Sequence, residues 1–136
     1  MVSAIIPGLL SIDPIGSAIY VKVEGSSLPL PLSVLGDGSR RLVEFAIAVV
    51  QGNGRVYIDE IENGLHWSVL PAVWDLLRTA KVDQVFATTH REENVRIACE
   101  RFVAAGDDGL RIVRIDRDGA THRAVVYTPA EALAAR

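Results

Sequence analysis

The sequence has a single cysteine and a small net charge, and both features exclude classes of protein. Cysteine occurs once among 136 residues, at position 99, which excludes an intrachain disulfide framework and a cysteine-rich zinc site. Cys99 lies in an apolar helical pattern, so we expect a core thiol in a reducing compartment. The net charge is only −3. This balance does not indicate a nucleic-acid or anionic-membrane surface, and a nucleic-acid role would have to come from sequence outside this segment.

Long apolar runs are also missing. None approaches the roughly 20 residues of a membrane-spanning helix, and the apolar first ten residues lack a basic leader. We therefore expect no membrane partner and a cytoplasmic location. Because 49% of the residues are hydrophobic, there is apolar material for one compact domain. The expected organisation is a single domain over 1–136, with a loosely defined strand and loop lead-in at 1–31, a core at 32–127 and a terminal helix at 128–136.

The segments that are present alternate between strand and helix patterns. Residues 18–24 alternate as in a hairpin or edge strand, and residues 40–51 are apolar on nearly every side, which predicts a buried helix after a glycine-rich turn. Gly52-Asn53-Gly54 is expected to end that helix. Further along, the patterns predict a strand at 55–59, a helix at 68–80 capped by Ser68, a strand at 84–88, a helix at 92–103, and a hairpin of 110–115 and 122–127 around the turn 116–119.

The strand at 55–59, the helix at 68–80 and the strand at 84–88 form a predicted βαβ unit, whose strands should be parallel neighbours. Asp59-Glu60 and Thr88-Thr89-His90 stand at the two strand ends, where ligands bind in such sheets, and should lie about one strand spacing apart. Carboxylates, hydroxyls and an imidazole suit metal-assisted phosphate chemistry. Taken singly, the acidic pair could be a solvated loop start and the histidine a structural residue.

A third element is the glycine-rich turn at 35–42, which opens directly into a helix. Its glycines let backbone N–H groups approach a ligand, the helix N-terminus favours anions, and Ser39 adds a hydroxyl. These features are compatible with a phosphate-binding end. The alternative is an ordinary capped turn, because Gly-Asp-Gly is common in turns.

Together these segments resemble the head of an ABC-type ATPase. The three segments read LGDGSR at 35–40, RVYIDEIENGLH at 55–66 and QVFATTH at 84–90. They are most similar to the RecF/OLD-like "AAA" ATP-binding proteins of prokaryotes, and the likeness extends from about residue 32 to 127. The resemblance implies an α/β fold with the parallel βαβ core of a P-loop NTPase-like domain and a C-terminal β-hairpin.

The resemblance also implies site residues and cofactors. Asp59 corresponds to the Walker B aspartate that supports Mg²⁺, Glu60 to the catalytic glutamate that positions water, and His90 to the switch histidine that senses the γ-phosphate of ATP. The remaining positions bind nucleotide across a dimer interface. They are Gly36, Asp37, Gly38, Ser39 and Arg40 of the signature motif, and Asn63 and His66 at the two ends of the D-loop.

Two departures from the family pattern stand out. Arg91 follows the switch histidine where serine is common. More important, the P-loop pattern Gly-x-x-x-x-Gly-Lys-Ser/Thr does not occur, since the only lysines are Lys22 and Lys81. ATP and Mg²⁺ binding would therefore depend on a Walker A motif from outside this sequence, and the chain alone is expected not to hydrolyse ATP.

Three explanations fit this absence. The sequence could be the C-terminal part of a longer ATPase, a natural half completed by a Walker A-bearing partner, or a degenerate module that docks on a complete ATPase. The presence of Asp59, Glu60 and His90 favours the first, with assembly as a homodimer or with that partner. A rival interpretation takes Asp116 and Asp118 as a nuclease-like metal pair; the flanking alternation favours a hairpin instead.

Overall fold

The computed structural model describes residue 6, residues 8–51 and residues 54–135. The chain divides into two compact units, Met1–Thr88 and Thr89–Arg136. The organisation of 1–136 as a single domain stays a prediction.

The first unit opens with an antiparallel sheet in the order β1 (Leu9–Ile15), β2 (Ala18–Val23) and β3 (Leu30–Pro31). A tight turn joins β1 to β2, and Gly16 within it has φ +63°, a conformation that glycine adopts without steric cost. The alternation of apolar and polar residues predicts only β2 among these three strands. The region expected to be a loose lead-in is therefore more ordered than its composition indicates, because β2 pairs on both sides with segments that contain proline.

Helix α1 (Asp37–Gln51) follows a 3₁₀ turn at Leu32–Val34. It begins three residues before the predicted start, because the Gly36 carbonyl accepts a hydrogen bond from the Arg40 N–H at 3.1 Å and so closes the first turn. The helix buries one face rather than all sides: Val43 is fully buried but Val50 is 78% exposed. The expected helix end at 52–54 lies partly outside the described residues.

The first unit also contains a parallel pair of strands. β4 (Arg55–Ile58) pairs with β5 (Gln84–Ala87) in parallel, which confirms the βαβ prediction. Between them lie a 3₁₀ turn at Trp67–Val69 and α2 (Leu70–Thr79). The predicted Ser68 cap is wrong: Ser68 lies inside the 3₁₀ turn, where its own N–H bonds the His66 side chain.

The second unit contains α3 (Glu92–Ala104), β6 (Ile112–Asp118), β7 (Thr121–Tyr127) and α4 (Pro129–Ala134). β6 and β7 form the predicted hairpin, but pairing continues to Asp118 and Thr121, so the turn is shorter than predicted. Asp116 is therefore a strand residue of the hairpin. It forms a 2.9 Å ion pair with Arg114. Cys99 is fully buried in α3, as predicted, and burial raises the pKa of its thiol.

Among the described residues, no helix combines the length and the apolar character needed to cross a bilayer.

Candidate functional site

The carboxyl ends of β4 and β5 bring three polar residues into one cluster. Asp59 and Glu60 follow β4, and Thr88 follows β5 one position beyond the pair Ile58 and Ala87. The Thr88 hydroxyl donates a hydrogen bond to Asp59 Oδ1 at 2.5 Å and accepts one from the Glu60 N–H at 2.9 Å. All three residues are exposed, so the cluster is accessible to a ligand.

Backbone hydrogen bonds also join the two strand ends. The Thr88 N–H donates to the Ile58 carbonyl at 2.9 Å, and the Ile61 N–H donates to the Thr88 carbonyl at 3.0 Å. Strand-like bonding therefore continues past the last paired residues. It fixes Asp59 and Glu60 against the end of β5.

Glu60 has an unusual backbone conformation. Its φ is +45°, and among the described residues no other non-glycine residue has a positive φ. This left-handed region is disfavoured for residues with a Cβ, and such outliers concentrate at functional sites. The Glu60 carbonyl accepts the Asn63 N–H at 2.7 Å, so a tight turn begins at Glu60 and redirects the chain immediately after the strand.

The first turn of α1 packs against this turn. A Cβ atom added to Gly38 would lie 3.5 Å from the Gly64 carbonyl oxygen, and the Arg41 guanidinium donates to the Asp59 carbonyl oxygen at 3.3 Å. The same guanidinium lies 4.9 Å from the ring centroid of the buried Phe45, which adds a cation–π contact. The glycine-rich segment therefore lies beside the acidic strand end.

Four further residues predicted for nucleotide binding are exposed: Asp37, Arg40, Asn63 and His66. Asp37 has an 88% exposed side chain and forms an ion pair with Arg40 at 3.6 Å. His66 accepts the Ser68 N–H on Nδ1 at 3.3 Å, and the Ser68 hydroxyl is 2.8 Å from the same nitrogen, so His66 caps the following 3₁₀ turn.

His90 belongs to the second unit, and its expected closeness to the two carboxylates stays a prediction. Its own loop is well connected: the Thr89 hydroxyl accepts the Arg91 N–H at 3.1 Å and the Asn94 side-chain amide at 3.4 Å. Asn94 is 1% exposed. It holds both neighbours of His90, because its side-chain amide bonds Thr89 and its backbone N–H donates to the Arg91 carbonyl at 3.1 Å.

The donor set at the strand ends fits Mg²⁺ bound together with a phosphate ligand. Among the described residues, no three His, Cys, Asp or Glu side chains are grouped to hold a metal by themselves. Mg²⁺ in nucleotide sites uses one or two carboxylates with water and phosphate oxygens completing the shell. One exposed aspartate with an adjacent glutamate is compatible with that arrangement.

Three residues of these networks carry no predicted role. In the sequence, Thr88 is only one of two hydroxyl residues at a strand end, and Arg41 is only the second of two consecutive arginines. Asn94 is one polar residue in an amphipathic helix. The signal available for Asn94 was its position in α3, three and four residues before the apolar Ile97 and Ala98. No sequence pattern pairs Arg41 with the Asp59 carbonyl.

Comparison with solved structures identifies the fold. A chain from a study of ATP-driven dimerization and DNA-stimulated activation of SMC ATPases matches with a TM-score of 0.65 and 16% identity, over 98% of this chain and 82% of that chain. The Smc head domain bound to the C-terminal domain of ScpA, from Pyrococcus furiosus, matches with a TM-score of 0.63 and 17% identity, over 98% of this chain and 34% of that one. The fold is that of an ABC-type ATPase-like domain.

Sequence comparison identifies the family. Residues 11–93, more than half of the chain, match the family described as "AAA domain, putative AbiEii toxin, Type IV TA system", and the chain belongs to this family. An "ATP/GTP phosphatase" of Helicobacter pylori is 38% identical over 86 residues, covering 58% of this chain and 23% of that protein. "ABC transporter A family member 8" of Arabidopsis thaliana is 29% identical over 83 residues, covering 60% of this chain and 9% of that protein. The chain thus spans less than a quarter of the length of these relatives.

Proposed function

We propose that this chain contributes the hydrolytic side of an ATP site that is completed by a Walker A motif from outside the present sequence. The observation that carries the proposal is the cluster at the ends of β4 and β5, where the Thr88 hydroxyl bonds both the Asp59 carboxylate and the Glu60 backbone. Membership of an AAA domain family and the relative named as an ATP/GTP phosphatase support nucleotide hydrolysis as the chemistry.

In the proposed reaction, Asp59 holds Mg²⁺ directly or through a water molecule. When bound, Mg²⁺ neutralises charge that develops on the phosphate oxygens. The Glu60 carboxylate orients the attacking water and takes up its proton. His90 donates a hydrogen bond to a γ-phosphate oxygen. These residues do not replace a Walker A motif, whose backbone N–H groups and lysine bind the phosphates. The phosphate-binding loop therefore has to come from outside this sequence.

The first turn of α1 is proposed to act on a second nucleotide. Gly36 to Arg40 would bind the γ-phosphate of ATP held by an opposing subunit, and the turn containing Asn63 and His66 would cross the same interface. Support comes from the closeness of the two segments, since a Cβ atom added to Gly38 would lie 3.5 Å from the Gly64 carbonyl oxygen. The opposing subunit is a second copy of the chain or a Walker A-bearing partner.

The test is a charge-removing substitution in a protein that contains both this chain and a Walker A motif. We expect Glu60→Gln to lower kcat by about 10²–10⁴-fold, the range for loss of a general base, while ATP still binds. Turnover and equilibrium nucleotide binding are measured side by side. Glu100→Gln removes another exposed carboxylate, from α3, and should leave kcat unchanged. Wild-type turnover by the Glu60→Gln protein would refute the catalytic assignment.

A further inference from the structure

The Thr88 hydroxyl bonds both Asp59, the candidate metal-binding residue, and Glu60, the candidate catalytic residue. We propose that it is a positioning residue that sets the Asp59 carboxylate and the Glu60 backbone in their working geometry, an inference that rests on the proposed function. Thr88 itself touches no reacting atom in this scheme. It acts through its two neighbours.

The hydrogen-bonding capacity of a hydroxyl explains why one side chain can hold two residues. A threonine hydroxyl has one proton to donate and two lone pairs to accept with. Thr88 gives its proton to Asp59 Oδ1 at 2.5 Å, and a lone pair takes the Glu60 N–H at 2.9 Å. Because the proton is committed to Oδ1, this hydrogen bond restrains the orientation of the Asp59 carboxylate.

The second effect concerns the Glu60 backbone. A φ of +45° is not a conformation that glutamate adopts without help, so the surrounding bonds must hold it. Thr88 accepts hydrogen bonds on both sides of Glu60: its hydroxyl accepts the Glu60 N–H, and its carbonyl accepts the Ile61 N–H. The direction in which the Glu60 side chain leaves the backbone therefore depends on Thr88.

Threonine suits this position better than other hydroxyl or β-branched residues. Two heavy atoms on Cβ restrict rotation about χ1, so the hydroxyl stays directed at its partners. Serine keeps the hydroxyl but rotates more freely. Valine keeps the shape and loses both hydrogen bonds. The two substitutions thus separate the hydrogen bonds from the packing.

The experiment uses a protein that contains this chain and a Walker A motif. We expect Thr88→Val to lower kcat about 10- to 100-fold, as loss of a residue that orients a metal ligand does, and to raise the Mg²⁺ concentration required for half-maximal rate, with little change in KM for ATP. Thr88→Ser should restore most of the rate. Thr79→Val is the matched control, because the Thr79 hydroxyl donates only to backbone carbonyls at the end of α2.

A second readout does not depend on turnover. Hydrogen exchange of the peptide spanning 58–63, followed by mass spectrometry in the same protein, should be faster in Thr88→Val and unchanged in Thr88→Ser and Thr79→Val. Wild-type exchange together with wild-type kcat and Mg²⁺ dependence in Thr88→Val would overturn the positioning role even if Glu60→Gln abolishes hydrolysis. If Glu60→Gln is instead fully active, the proposed function fails, and faster exchange would show only that the bonds exist.

Discussion

At the scale of single residues, the backbone of Glu60 offers a direct measurement of local strain. A residue with a Cβ in the left-handed region costs about 1–2 kcal/mol, whereas glycine avoids that cost but gains freedom in the unfolded chain. We therefore expect the free energy of unfolding of Glu60→Gly to exceed that of Glu60→Ala by roughly 0.5–1 kcal/mol. Urea denaturation of the two variants measures the difference.

Glu100 provides the comparison for this prediction. It lies inside α3, in right-handed helical backbone, where glycine is less favourable than alanine by about 1 kcal/mol. The order of stability should therefore reverse, with Glu100→Ala more stable than Glu100→Gly. The same order at both positions would show that the positive φ of Glu60 carries no conformational cost.

The residue-scale networks could be predicted only in part. The positions of Asp59, Glu60 and His90 at strand ends follow from apolar runs that stop where polar residues begin. The bonds that Thr88 and Arg41 make to residues 29 and 18 positions away depend on register and rotamer, which no local pattern encodes. The left-handed turn at Glu60 was equally invisible, because glutamate is not a residue that marks such a turn.

At the scale of elements, α4 illustrates how a short helix is held at its start. The Glu131 carboxylate accepts hydrogen bonds from the Thr128 N–H and hydroxyl, both at 2.8 Å, while the Thr128 hydroxyl accepts the Glu131 N–H at 3.3 Å. This is a capping box, in which two end groups of the helix are satisfied reciprocally. The bond from the Thr128 N–H, then that from its hydroxyl, lowers the pKa of Glu131 below its usual value.

The lowered pKa predicts a pH dependence for α4. Since the folded state favours the ionised carboxylate, its contribution is complete above the ordinary glutamate pKa and is lost as the pH falls through the lowered value. Thr128→Ala removes the hydroxyl but keeps the N–H, so the pKa of Glu131 should rise only part of the way to its usual value. NMR titration of the Glu131 carboxyl measures the change. Thr121→Ala, in β7, should leave the titration unchanged; an equal shift there would contradict a local cause.

Elements were more predictable than their ends. The βαβ unit and the hairpin follow from periodicity, but their ends do not. The hydrogen bond to the Gly36 carbonyl starts α1 earlier than predicted, and the pairing of Asp118 with Thr121 shortens the hairpin turn.

The exposure of aromatic residues in β4 and β5 shows a further limit. Tyr57 is 71% exposed and stacks on Phe86 with ring centroids 5.1 Å apart, although an aromatic residue in a strand next to a parallel neighbour favours burial.

At the scale of the whole molecule, the missing phosphate loop yields a negative prediction. The isolated chain should bind ATP weakly or not at all and should show no measurable hydrolysis, because no Gly-x-x-x-x-Gly-Lys-Ser/Thr segment is present to cradle the phosphates. Nucleotide titration and a phosphate-release assay on purified chain check this. A longer protein that contains the Walker A motif serves as the positive control. Robust turnover by the chain alone, abolished by Glu60→Gln, would contradict the prediction and exclude a contaminant.

The hydrogen bond from Thr88 to Asp59 also bears on how the protein folds. Its two residues are 29 positions apart, so the intervening chain, including α2, has to be synthesised and closed into a loop before the bond can form. Pairing of parallel strands is slow for the same reason. The cluster of Asp59, Glu60 and Thr88 therefore forms only once residue 88 is available, and a nascent chain that has not yet emerged past residue 88 carries its acidic residues without a site.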